Sequence, residues 1–354
     1  MESEYTGKDH MVAVFRGEYT DRVPVRALHG LQWGLELAGV TPKEVLTQPE
    51  KYVKVMVTLQ EIIPSDAIVV LIGDEALLAE AVGRELGLTF KDVRALARSG
   101  SHILEEKSTF AKLDLPDLKR GERLLYYLEI CEMASSAVPD AIIDAFTISP
   151  WSTAMMLRGI ENLIYDTMDD PQFVHELLRF TTEYAKMVGD GALETGIGLL
   201  TLADPAAGCG VLSPTMFREW AKPYLEETVD HFERQKKTPV FLHICGYTDP
   251  IMEDLVSLGV DGISIDSPSS LKKLVEVSQR QVVIEGNCPT ELYVEGTKEE
   301  IEEKVKECLG TAAEASGYRY ILCSGCQVPD TAPIENVKHF LEVGRKYGRY
   351  MKAS

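Results

Sequence analysis

His243 and Cys245 flank Ile244 and are followed at once by Gly246. In an extended strand, side chains i and i+2 leave the same face, so this imidazole and this thiol point together. Gly246 lets the chain turn away immediately afterwards. An imidazole and a thiolate are two of the ligands that zinc favours, and Cys323 and Cys326 offer a third thiolate further along the chain. Three protein ligands with a fourth position open form the arrangement of catalytic rather than structural zinc. The competing reading is a hydrogen-bonded core histidine beside an inert buried cysteine.

Other reactive side chains recur where short apolar runs end. Asp74 follows the run 67–71, Ser149 follows 141–148, Asp204 follows 198–203 and Asp266 follows 260–265. Glu285 and Asn287 close the run 281–285, while Arg26, His29 and Trp33 lie at or after the end of 23–28. Asp204 and Asp266 are the candidate catalytic carboxylates. An Asp before Pro205 also suits a plain turn, and Asp266 also suits a helix cap. His29, Trp33, Ser149 and Asn287 are candidates to bind a substrate or cofactor; packing at Trp33 and a turn at Asn287-Cys288-Pro289 are the alternatives. Cys131, Cys209 and Cys308 read as packing residues.

Reactive groups gathered at strand ends require a scaffold that brings those ends together. Eight β-rich runs are expected, at 23–28, 67–71, 141–148, 198–203, 239–244, 260–265, 281–285 and 318–323, with amphipathic segments between them. Continuously apolar strands alternating with helices predict a parallel sheet covered on both faces. Eight such units predict a (β/α)8 TIM barrel, whose carboxyl-end loops carry the chemistry. A doubly wound sheet would show the same alternation. Ser213-Pro214 and Thr297 followed by Glu299 and Glu300 read as helix starts, and 335–347 reads as a closing amphipathic helix. The stretch 73–139 is too long for one crossover and is expected to hold an inserted segment with a helix near 123–136. No linker or repeat interrupts residues 1–354, so a single domain is expected.

The composition sets limits on function. Net charge is −20, from 36 basic and 56 acidic residues, a surface that repels nucleic acid and anionic membranes. The start of the chain, MESEYTGKDH, is polar and no apolar run approaches the ~18 residues of a membrane span. A cytoplasmic location is therefore expected. Seven scattered cysteines do not read as a disulfide framework. Dinucleotide, P-loop, metalloprotease and nucleophile-elbow motifs are missing from the sequence.

Longer patterns are Phe15-Arg16-Gly17-Glu18 through Asp21-Arg22-Val23-Pro24, Ser149-Pro150-Trp151 through Leu157-Arg158-Gly159, and Ala203-Asp204-Pro205 followed by Leu212-Ser213-Pro214. Together they resemble the uroporphyrinogen decarboxylase superfamily. The decarboxylases themselves carry an arginine-rich stretch where this chain has Ala27 to Trp33. His243-Ile244-Cys245-Gly246 and Ser324-Gly325-Cys326, with Pro333-Ile334-Glu335-Asn336, are similar to the zinc motif of methylcobamide:coenzyme M methyltransferases. The resemblance implies His243, Cys245 and Cys326 as zinc ligands, with Cys323 outside the motif. Asp266 falls where those enzymes have a glutamate near zinc. It further implies a methyl group moved between a corrinoid, carried by a partner corrinoid protein, and a small thiol or methylated compound. Tetrapyrrole decarboxylation and a noncatalytic corrinoid or porphyrin carrier are the other functions such a chain could serve.

Overall fold

The computed structural model describes residues 5–71, 100–115, 122–235 and 238–350. Seven parallel strands form one sheet in the order in which they occur in the chain. They are β1 (Ala67–Val70), β2 (Ile142–Ile148), β3 (Leu199–Ala203), β4 (Val240–Ile244), β5 (Gly262–Ile265), β6 (Val283–Cys288) and β7 (Tyr320–Ser324). Almost every strand residue is buried, as expected of β-rich runs covered on both faces. Helices cover the outside of the sheet, including Pro171–Leu193, Lys222–Glu233 and Lys298–Ala312.

The eighth run, 23–28, is extended but joins the sheet through one isolated parallel bridge, Val25 to Leu322. Pro24 has no N–H to give, which interrupts the ladder there. The segment still touches both edges of the sheet. The N–H of Arg26 donates to Leu322, that of Leu322 to Pro24, and on the other side that of Asp66 to Val25, each at 3.0 Å. The curled sheet is thus bridged into a barrel-like ring. The expected helix near 123–136 is observed at Glu122–Ala137, packed on the helix Pro49–Ile62 and on β2. This is the place of an ordinary covering helix between β1 and β2. The rest of the expected insertion, and Asp74 with it, falls largely outside the described residues.

The other expected helix starts are observed with their caps. Ser213 accepts from the N–H of Met216, and Thr297 forms a reciprocal capping box with Glu300. The last helix spans Ile334–Tyr347.

The interior of the ring is layered. At its amino end, Met11 and Val14 of the helix Gly7–Arg16 pack on Ala67, Ile142, Leu199, Phe241, Val283 and Ile321, closing that end with an apolar plug. Thr6 and Asp9 cap the plug helix reciprocally, and Gly17 at φ +66° ends it. Above this layer lies a polar one. The guanidinium of Arg26, 1% exposed, donates to Asp144 at 2.7 Å and to Glu285 at 3.3 Å, and Thr201 donates to Asp144 at 2.8 Å. Burial pushes the Asp144 carboxyl up to about 6 against the pull of Arg26.

A cation removed from such a network leaves buried carboxylates without compensation, which costs about 3–5 kcal/mol. Arg26→Met is therefore expected to lose about that much stability in denaturant titrations near pH 8. The deficit should shrink toward pH 5, where Asp144 takes up a proton and the uncompensated charge falls. Wild-type stability of this variant at pH 8 would show that the network is not a paired ion set.

Candidate metal centre

The carboxyl ends of the strands surround an open mouth, and the expected H-x-C pair ends β4 at that mouth. The imidazole Nε2 of His243 lies 3.3 Å from the Sγ of Cys245, which confirms that the two side chains share a face. Gly246, at φ +74°, turns the backbone away. Gly208 makes the neighbouring loop possible, because a Cβ there would stand 2.5 Å from the carbonyl oxygen of Cys245. On its other side, the Nδ1 of His243 is 3.0 Å from the Oγ of Ser264 in β5. In the tautomer with Nδ1 protonated, Ser264 accepts and Nε2 presents its lone pair to the two sulfurs.

Cys326 reaches the pair from the loop after β7. That loop is held at both ends: Gly325 donates its N–H to Cys288 and Val328 donates to Leu28, each at 2.7 Å. The Sγ of Cys326 then stands 3.6 Å from that of Cys245 and 3.9 Å from His243 Nε2. His243, Cys245 and Cys326 are a group able to hold a metal ion among the described residues. Metal–ligand distances of about 2.0–2.3 Å at tetrahedral angles require donor-to-donor edges of roughly 3.5–3.8 Å. The observed triangle of 3.3, 3.6 and 3.9 Å spans those values, so this donor set fits zinc. Contact with Cys245 lowers the Cys326 thiol to about 5 against the opposing effect of burial, and His243 lowers it further. The same contact pushes the Cys245 thiol up, because the two sulfurs hold one proton between them. Cys323 is elsewhere. It is fully buried beside Leu28 and Val69, and burial raises its thiol.

The three donors form one wall of a cavity of about 150 Å³ whose other walls include Leu28, Val69, Phe146 and Ala203. The remaining candidates stand around this cavity rather than in its lining. Asp204 is wholly buried, and between Ala203 and Pro205 it turns outward to the helix Pro150–Arg158. Its Oδ1 accepts from the N–H of Ser152 at 2.9 Å and from that residue's hydroxyl at 2.5 Å, while Oδ2 has no partner among the described residues. Burial pushes the Asp204 carboxyl up to about 7. Asp266 accepts from the backbone N–H of Gly246 at 2.9 Å and of Ser267 at 2.6 Å, bracing the turn after Cys245. The Asn287 amide donates to Ser269 at 2.8 Å and to Asp266 at 3.3 Å. Ser149 is the buried N-cap residue of the helix Pro150–Arg158, with an unpartnered hydroxyl among the described residues. The rings of His29 and Trp33 lie 5.7 Å apart, and Trp33 donates to Ala332 at 2.9 Å. Ser264 was not singled out in the sequence. Its signal is the parity it shares with Asp266 along β5.

The model of the family described as uroporphyrinogen decarboxylase (URO-D) matches residues 6–347. The chain belongs to that family. Within reach of family members it is similar to the methylcobamide:CoM methyltransferase MtaA of Methanosarcina barkeri, at 24% identity over 353 residues, covering 98% of this chain and 99% of that protein. It is also similar to a uroporphyrinogen decarboxylase of a Sulfurovum species, at 25% identity over 303 residues and 83% of each chain. Among solved structures, a methyltransferase from Methanosarcina mazei superposes with a TM-score of 0.78 at 23% identity, covering 97% of this chain and 99% of that one. The family fold is therefore shared. Methyltransferase relatives match over nearly the whole chain.

Between about pH 4 and 7 the folded Asp204 carboxyl keeps a proton that the unfolded chain releases. Its contribution to stability therefore falls as pH rises through that window, by up to about 1.4 kcal/mol per pH unit. Asp204→Asn keeps an oxygen for Ser152 and removes the titration. Its melting temperature is expected to vary less with pH between about 5 and 8 than that of the wild type; an equal slope would refute the buried, protonated state.

Proposed function

We propose that His243, Cys245 and Cys326 hold one zinc ion and that the protein is a corrinoid-dependent methyltransferase. The observation that carries this reading is the convergence of an imidazole and two thiols, with zinc-like spacing, on one wall of a small cavity at the barrel mouth. The methyltransferase relatives, four of them named for methylcobamide and CoM, support it. Zinc in that site supplies Lewis acidity, holding a substrate sulfur as thiolate at neutral pH, where a free thiol with a pKa of about 8.5 is only a few per cent ionised.

The chain's own residues do the positioning. Ser264 orients His243, while Asp266 and Asn287 fix the turns beside Cys245. Asp204 holds the start of the helix Pro150–Arg158 through the N–H and hydroxyl of Ser152. We assign Asp204 and Asp266 to positioning rather than to proton transfer, because Asp204 is directed at Ser152 and away from the cavity, while both oxygens of Asp266 accept from backbone N–H groups. His29 and Trp33, which pack on each other beyond the segment 23–28, are assigned to contact with a corrinoid presented by a partner protein. A corrinoid presented at the mouth would supply an activated methyl group, and a substrate sulfur aligned by His243, Cys245 and Cys326 would take it up, the thiol proton passing to solvent. The reverse direction uses the same residues. Tetrapyrrole decarboxylation draws less from this geometry, since Asp204, the candidate acid, faces a helix instead of the cavity.

Anaerobically purified protein is expected to contain about one zinc per chain. Cys245→Ser and Cys326→Ser should each lose most of it, while Cys323→Ser retains it. Metal analysis of the folded variants, beside demethylation of methylcobalamin with a thiol panel, checks the reading. A native protein that neither contains nor takes up zinc would remove it and return decarboxylation to the front.

A further inference from the structure

The cavity at the candidate metal centre has an apolar body. Leu28, Val69, Leu71, Phe146, Ile148 and Ala203 line it beside the three donors, and the described lining holds no charged side chain. Arg26, the buried cation of the polar layer among the described residues, is committed to Asp144 and Glu285. One positive charge against two carboxylates leaves none to spare for a ligand. Burial and the neighbouring Arg26 both lower the His29 pKa, which keeps that ring uncharged at neutral pH. Two thiolates and a neutral imidazole cancel the charge of a dipositive ion. An anionic group drawn into this space would meet no cation among the described walls, a costly position. A hydrocarbon tail gains instead, by roughly fourfold in affinity per buried CH2.

We propose that the thiol this site accepts is a small uncharged alkyl thiol, and that the apolar cavity selects against thiols carrying a sulfonate or carboxylate. The assignment rests on the reading of the three donors as a metal site that engages a substrate sulfur. It separates this chain from the relatives named for coenzyme M, 2-mercaptoethanesulfonate, whose sulfonate is permanently charged. Gln327 marks the place where that selectivity can be changed. It lines the same cavity next to Cys326, yet it is exposed at the rim, where a longer side chain can be accommodated.

The test is binding, read on protein in which cobalt(II) replaces zinc. Anaerobic titration with 1-propanethiol, 2-mercaptoethanesulfonate and 3-mercaptopropionate is followed by the visible cobalt bands and the thiolate-to-cobalt charge-transfer band. The neutral thiol is expected to act at a concentration at least tenfold lower than either anion. Gln327→Arg should shift the ratio at least fivefold toward the sulfonate. Equal or tighter binding of the sulfonate by the wild type overturns the proposal, as does an unchanged ratio in Gln327→Arg. Cobalt retained without a spectral response to any thiol overturns it while leaving the metal site standing. Failure to retain cobalt or zinc overturns the metal site itself.

Discussion

His243 and Cys245 end β4, whereas Cys326 follows β7, and two whole strands lie between those elements in the sheet. Ligands so far apart in strand order meet only if the sheet curls and its last loop leans inward over the mouth. Both conditions depend on the short extended segment at 23–28. It bridges β7 to β1, and Leu28 at its end receives the hydrogen bond from Val328 that sets the path of the Cys326 loop. Its position is fixed in turn by Asp66, whose carboxylate accepts from the N–H of Val25 at 2.7 Å and from both terminal nitrogens of Arg22. Ligand geometry at one end of the ring is thus tied to an ion pair at the other.

The layers inside the ring divide the work by polarity. Aliphatic and aromatic side chains seal the amino end, an ion network occupies the middle, and the donors stand in a largely apolar chamber above. Buried charges are costly unless paired and hydrogen-bonded, and Arg26 satisfies Asp144 and Glu285 together. With its charges already paired, that layer leaves the chamber to the donors and to the hydrocarbon around them.

Much of this was legible in the sequence, and the parts that were not share a cause. Apolar runs located the seven described strands and an eighth segment, 23–28, that joins them through one bridge, and the two-residue parity of His243 and Cys245 gave their common face. Parity also accounts for Asp204: Ala203 and Pro205 turn inward, so the residue between them turns out to the helix Pro150–Arg158. The choice of Cys326 over Cys323 was open on spacing alone, because it depends on a loop path fixed by contacts with a segment about 300 residues earlier in the chain. Asp266 shows a similar limit. Its side chain lies beside the cluster, but two backbone N–H groups occupy its oxygens, and backbone demands of that kind leave no mark in composition or periodicity.

The apolar plug gives the ring a dead end. Helix Gly7–Arg16 blocks the amino side, so among the described residues the way to the three donors is from the mouth at the carboxyl ends of the strands. On the proposed reading, a corrinoid held by a partner protein would cover that opening like a stopper. Small substrate must then already be inside when the partner docks, and product must wait until it departs. On that reading a vessel with one neck would impose a compulsory order on its two reactants and make undocking of the partner a gate on every turnover.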